Sequence, residues 1–252
     1  MLRKLVLALL FISATSMVGH AQSLEDMMAK AKQFEKEMKE PEALEQYKEI
    51  LKIQPKDVQV LTSASLLSSM EGNRKKDKSE KLAYFTQAQN YAQEAINIDN
   101  ANARAYYAAA VATGRMGLIL GTKERVAASR DTKKYAELAI KFDTTYGEAY
   151  YLLGKWNYEV FNMNTVEKAA AKVLFGGMPK ASLEEAIANY EKCRKLRPGY
   201  ILNYYDLGVA LRQSGDDTAA IEILKKGSSL RPVYFDDIQT RLNCKKLVED
   251  MQ

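Results

Sequence analysis

Six tyrosines stand in three adjacent pairs, Tyr106-Tyr107, Tyr150-Tyr151 and Tyr204-Tyr205. Neighbours on a helix point about 100° apart, so within each pair one ring faces a packed helix and the next turns onto a different surface. The first of each pair, Tyr106, Tyr150 and Tyr204, is assigned to packing. Tyr107, Tyr151 and Tyr205 then turn toward a common groove. One turn further lie Val111, Lys155 and Val209, and beyond them Tyr158 and Arg212. The chemistry such a surface offers is recognition rather than turnover. Tyrosine supplies large contact area at small entropic cost together with a hydroxyl, and Lys155 and Arg212 supply charge. The alternative is that all six tyrosines pack helices together.

Residue types for catalysis are sparse. His20 is the only histidine, and it lies in an N-terminal segment that reads as a leader. Arg3 and Lys4 precede an apolar run from Leu5 to Val18, and Gly19-His20-Ala21 fits a small-x-small cleavage site. The run is short of the roughly 20 residues a spanning helix needs. Cleavage after Ala21 is expected, giving an exported chain, periplasmic or secreted, without stable membrane insertion. That chain has no histidine for general base, triad or metal ligand. Cys193 and Cys244 are the only thiols, too few for a zinc site, and both fall on predicted helices. They read as two small buried side chains, although export permits a disulfide. Phe175-Gly176-Gly177 lacks the spacing of a phosphate loop and reads as a helix C-cap and turn. Glu167, Lys168 and Lys172 read as a solvated face with one ion pair, or as a positive rim for an acidic ligand. No catalytic residue, metal or cofactor is expected. The net charge of +5 falls to +3 without the leader, and no basic stripe argues for nucleic acid.

The elements that position the tyrosines repeat. After each pair comes a second signature: Ala186 to Cys193 leading to Pro198, and Ala220 to Gly227 leading to Pro232, with an earlier copy from Ala43 to Ile50 leading to Pro55. Helix pairs are expected at 24–38 with 41–54, 57–70 with 80–98, 102–119 with 122–142, 146–162 with 182–196 and 200–213 with 217–230. The repeats run about 24–55, 57–100, 102–144, 146–198 and 200–232, and a capping helix follows at 237–250. Residues 71–80, EGNRKKDKSE, read as a charged loop. A short helix at 165–175 is wedged into the fourth unit. Its apolar stripe, Val166, Ala169, Ala170, Val173 and Leu174, is expected to fold over Trp156, Val160 and Phe161, with Phe175 as a buried end stop. Trp156 reads as core. Gly154, Gly176, Gly177, Gly208 and Ala220 are structural: Gly208 and Ala220 sit where two helices cross closely.

This pattern resembles the tetratricopeptide repeat, two antiparallel helices over about 34 residues with small residues at the crossing and proline after the second. The implied fold is an all-α, right-handed solenoid of about five helix pairs with a C-terminal cap, forming one domain over residues 22–252. The string LLGKWNYEV, the EKAAAKVLFGG segment and SLEEAIANYEK resemble the regulator of microtubule dynamics family, as does the stretch from Gly121 to Ala136. That resemblance implies TPR-like helical domains. An exported chain does not meet microtubules, so the cytoskeletal role is not carried over. The resulting expectation is a non-enzymatic scaffold binding a protein or peptide in its concave groove. The alternative is a lipid or amphiphile carrier, since some animal members are described as binding phospholipid.

Overall fold

The computed structural model describes residues 24–252, and the leader expected at 1–21 lies outside them. Among the described residues there are only helices: α1 (24–36), α2 (Glu40–Ile53), α3 (Val58–Arg74), α4 (Lys78–Ile98), α5 (Ala103–Ile119), α6 (Thr122–Phe142), α7 (Gly147–Phe161), α8 (Thr165–Phe175), α9 (Leu183–Leu196), α10 (Ile201–Ser214), α11 (Asp217–Ser229) and α12 (Phe235–Glu249). None of these is long and apolar enough to cross a membrane. Most starts are written locally. Asp57, Asp77, Asn102, Asn164, Ser182 and Asp216 each accept a hydrogen bond from a backbone N–H of the first turn. Each thereby satisfies a donor the helix leaves open.

Consecutive helices pack as antiparallel pairs, α3 with α4, α5 with α6, α7 with α9 and α10 with α11. The first members also touch one another in series, α3 on α5, α5 on α7 and α7 on α10, and so form an inner layer. The second members form the outer layer. The closeness of each pair rests on missing side chains. A Cβ on Gly154 would stand 2.7 Å from the ring of Tyr190, and one on Gly208 would stand 2.5 Å from Leu224 Cγ. Ala220 is fully buried. The crossing expected at Gly208 and Ala220 is made there, and Gly154, for which no crossing was expected, makes one in the fourth unit.

The first tyrosine of each pair has one repeated job. Tyr106 Oη donates to the carbonyl of Asn100 at 3.1 Å, Tyr150 Oη to Thr144 at 3.1 Å and Tyr204 Oη to Pro198 at 2.8 Å. Each reaches back six residues to the turn before its own helix, so the repeat staples its own entry. Only Tyr204 is fully buried.

Two expectations are corrected. The charged loop at 71–80 shrinks to residues 75–77, because α3 runs on to Arg74 and Asp77 caps α4. Arg74 holds α3 intact there: its guanidinium meets Glu71 at 2.6 Å, Asp236 of α12 at 2.9 Å and the buried Glu40 of α2 at 3.5 Å. The backbone N–H of Phe235 also donates to Glu40 at 2.8 Å. The last helix thus clasps the second and third.

The second correction concerns the inserted helix. α8 packs on α6, the outer helix of the preceding unit, rather than over Trp156, Val160 and Phe161. Phe175 is 37% exposed and Phe161 43%. Because Gly154 lets α7 and α9 pack directly, no gap remains between them for an insert. α8 is held from outside by cations of α6. Arg125 pairs with Glu167 at 3.4 Å. Arg130 donates to the carbonyl of Gly177 at 3.0 Å and lies over the Phe175 ring at 5.3 Å. Asn164 and Glu167 close the start of α8 with a reciprocal capping box, and Gly176 ends it at φ +72°, the helix stop read from the sequence.

Candidate functional site

The inner layer gathers the tyrosines, in two zones. The first is closed. Tyr107 and Tyr151 retain only 9% and 3% of their surface, so neither ring lies on an open groove wall. Tyr107 packs on Tyr146 with centroids 5.2 Å apart, and Tyr151 packs edge-on against Tyr200 at 5.1 Å. Tyr200 is the N-cap residue of α10. Burial raises the hydroxyls of all three well above the usual phenol range, so they stay protonated donors.

The second zone stays accessible and is centred on Asp206. Tyr151 Oη donates to Asp206 Oδ2 at 2.8 Å, and Lys155 Nζ lies 3.6 Å from the same oxygen and 3.3 Å from Glu159. Desolvation works against the Lys155 charge, yet Asp206 and Glu159 outweigh it and raise its pKa. Tyr158, half-buried and within electrostatic range of Asp206 and Tyr205, extends the patch. Tyr205 packs partly against Leu224, Cys244 and Val248. Arg212 is exposed two turns further along α10. The structure therefore brings Tyr151, Lys155, Tyr158 and Tyr205 together around a carboxylate, Asp206, that sequence reasoning passed over. Its only sequence signal was its place immediately after a tyrosine pair.

Arg115 is the other side chain not anticipated. On α5, its Nη1 donates to the carbonyl of Ser69 on α3 at 3.0 Å, and among the described residues no carboxylate lies at ion-pair distance from it. Part of its surface stays accessible. The surrounding inner helices nevertheless exclude enough water to lower its pKa, while Tyr200, Tyr151, Tyr107 and, beyond ion-pair distance, the Asp236 carboxylate stand within electrostatic range. At the start of α5, about three turns from Arg115, Arg104 donates to Ser63 Oγ at 3.0 Å, and Glu35, within its electrostatic range, accepts from Tyr47 Oη at 3.2 Å. Burial raises Tyr47 to about 12.

The remaining candidates are structural. Trp156 is 3% exposed, with Lys133 of α6 over its ring at 5.4 Å and its indole N–H without a partner. Cys193 and Cys244 are buried and unlinked, and burial pushes both thiols up to about 12. Among the described residues no group of three or more His, Cys, Asp or Glu is placed to hold a metal ion.

Stacked helix pairs, a glycine-mediated crossing and an aromatic inner layer define a tetratricopeptide-like helical-repeat protein. The fold agrees with a solved structure, a thermophilic TPR protein of Thermus thermophilus, at a TM-score of 0.65 over 90% of this chain and 99% of that one, with 13% identity. The sequence model of regulator of microtubule dynamics protein 1-3 matches residues 27–252, so the chain belongs to that family. Regulator of microtubule dynamics protein 3 of Xenopus laevis is 26% identical over 68% of this chain and 37% of its own length. Regulator of microtubule dynamics protein 2 of Mus musculus is 26% identical over 69% of this chain and 42% of its own length. The matched region thus spans less than half of those relatives.

Proposed function

We propose that the protein is an exported, non-enzymatic scaffold that holds an extended stretch of a protein partner along its inner layer. The observation that carries this reading is Arg115, a partly accessible guanidinium with no carboxylate partner among the described residues, set among protonated tyrosine hydroxyls. A charge held in such a desolvated space is costly unless an opposite charge completes it. An acidic side chain or C-terminal carboxylate of the partner would do so, since guanidinium binds carboxylate through paired hydrogen bonds. The accessible patch of Lys155, Tyr158, Tyr205 and Arg212 would take the adjoining residues, with Asp206 receiving a base. Family membership and the TPR-like fold support a scaffold role.

The test is photo-crosslinking from position 158 in the exported chain, followed by mass spectrometry of captured proteins and lipids. The expected result is peptides crosslinked in the wild type and lost in Arg115→Met. Capture of lipid alone would overturn the reading and favour an amphiphile carrier.

A further inference from the structure

α8 is an amphipathic helix mounted inside out. Its one buried residue, Ala171, faces α6, flanked by Glu167 and Phe175. Opposite Ala171 at helical spacing stand Val166, Ala169 and Val173, and Val166 and Val173 are 70% and 84% exposed. Leu174 adds a half-exposed edge at 39%. The other edge is Lys168 and Lys172, both exposed and neither ion-paired among the described residues. Glu167, the only acid of the helix, is consumed by Arg125 and by the backbone N–H of Asn164. The Arg125–Glu167 pair brings the start of α6 beside the start of α8. Leu118 near the end of α5 and Phe161 just before α8, 57% and 43% exposed, belong to the same end of the molecule.

We infer that α8 is a membrane-docking element: its outer face enters the interface of a bilayer rich in anionic lipid, with Lys168 and Lys172 at the headgroups. Apolar side chains on a short surface helix with lysines along one edge are the arrangement that interfacial binding uses, and lysine stems lie on apolar surface while their ammonium groups reach phosphate. Charge selects this occupant. The exposed face carries two free cations and no free carboxylate, so it complements a negative surface, whereas a second copy of the same face would set lysine against lysine. The inference is independent of the reading of the inner layer, from which α8 is separated by α6.

The test is flotation of the chain from Gln22, which carries every described helix, with phosphatidylcholine vesicles with and without phosphatidylglycerol. The wild type is expected to float with the anionic vesicles and not with the neutral ones, and to release as salt is raised. Val166→Asp with Val173→Asp should abolish flotation, and Lys168→Glu with Lys172→Glu should weaken it at least tenfold. Both double variants should melt with the wild type, because the altered side chains are exposed. In Val173→Trp, the new indole should shift to the blue on anionic vesicles, while Trp156 is already buried. Equal flotation on neutral vesicles, retained flotation in the double aspartate variant, or no flotation of the wild type would each overturn the inference. Binding of a soluble protein through Val166 and Val173 in place of vesicles would overturn it as well.

Discussion

Replacing Arg74 tests whether the last helix is locked to the first units. Arg74 serves three carboxylates, and they differ in worth. Asp236 is 42% exposed on its side chain, so its pair is screened and contributes under about 1 kcal/mol. The side chains of Glu40 and Glu71 are 2% and 10% exposed. Arg74→Ala leaves both buried without a cation, and breaking a buried pair from one side costs about 3–5 kcal/mol. Loss of the guanidinium over the Phe235 ring, at 5.3 Å, adds about 0.5–1 kcal/mol. The expected destabilisation in urea is therefore about 4–6 kcal/mol, with its upper end trimmed by water reaching the vacated site. The pairing is incomplete even when intact: Glu40 Oε2 and Arg74 Nη2 make no hydrogen bond, and Nη1 meets that oxygen only at ion-pair distance. Arg74→Met combined with Glu40→Gln and Glu71→Gln should therefore recover most of the loss. In hydrogen exchange, Arg74→Ala should release α12 and α2 together. The reasoning fails if α12 keeps its protection while only α3 loosens, or if Arg74→Ala unfolds at the wild-type midpoint.

The crossing at Gly208 predicts that Gly208→Ala destabilises by about 1–3 kcal/mol from overpacking against Leu224, offset by up to about 1 kcal/mol of helix propensity; urea midpoints read the balance, and a gain in stability would contradict the close packing. Phe175→Ala should cost about 1–2 kcal/mol, short of the 3–5 kcal/mol of a core aromatic, and hydrogen exchange should confine the effect to α8. The two thiols supply a pH dependence. Burial raises each from 9.0 to about 12, so the folded chain keeps protons that the unfolded chain sheds. Stability from this source is full below pH 9 and falls as pH rises toward 12. Replacing both cysteines by alanine should make that alkaline limb start later and run shallower, leaving the share that the buried Tyr107, Tyr151 and Tyr200 add above about pH 10, and in the native wild type neither thiol should react with an alkylating reagent at neutral pH.

Much of the architecture was legible because it is written at short range. Caps such as Asn164 with Glu167 and Ser182, the stop at Gly176, and the recurring Tyr-Tyr and Ala-to-Pro signatures act over a few residues, so their spacing alone fixes where helices begin, end and repeat. Gly208 and Ala220 announced a close crossing because a small residue inside a helical apolar stripe has few other uses, while the crossing at Gly154 emerged only with the structure. What the sequence left open depended on partners far along the chain. Tyr151 needed Asp206, 55 residues away, to become a donor in an inter-helix bond, and Arg74 needed Asp236, 162 residues away. Nothing local distinguishes a helix that buries its apolar stripe from one that exposes it. The periodicity of Val166, Ala169 and Val173 is the same in both cases. Only the direct packing of α7 on α9, and the cations that α6 offers to the opposite face of α8, decided that this stripe turns outward to water.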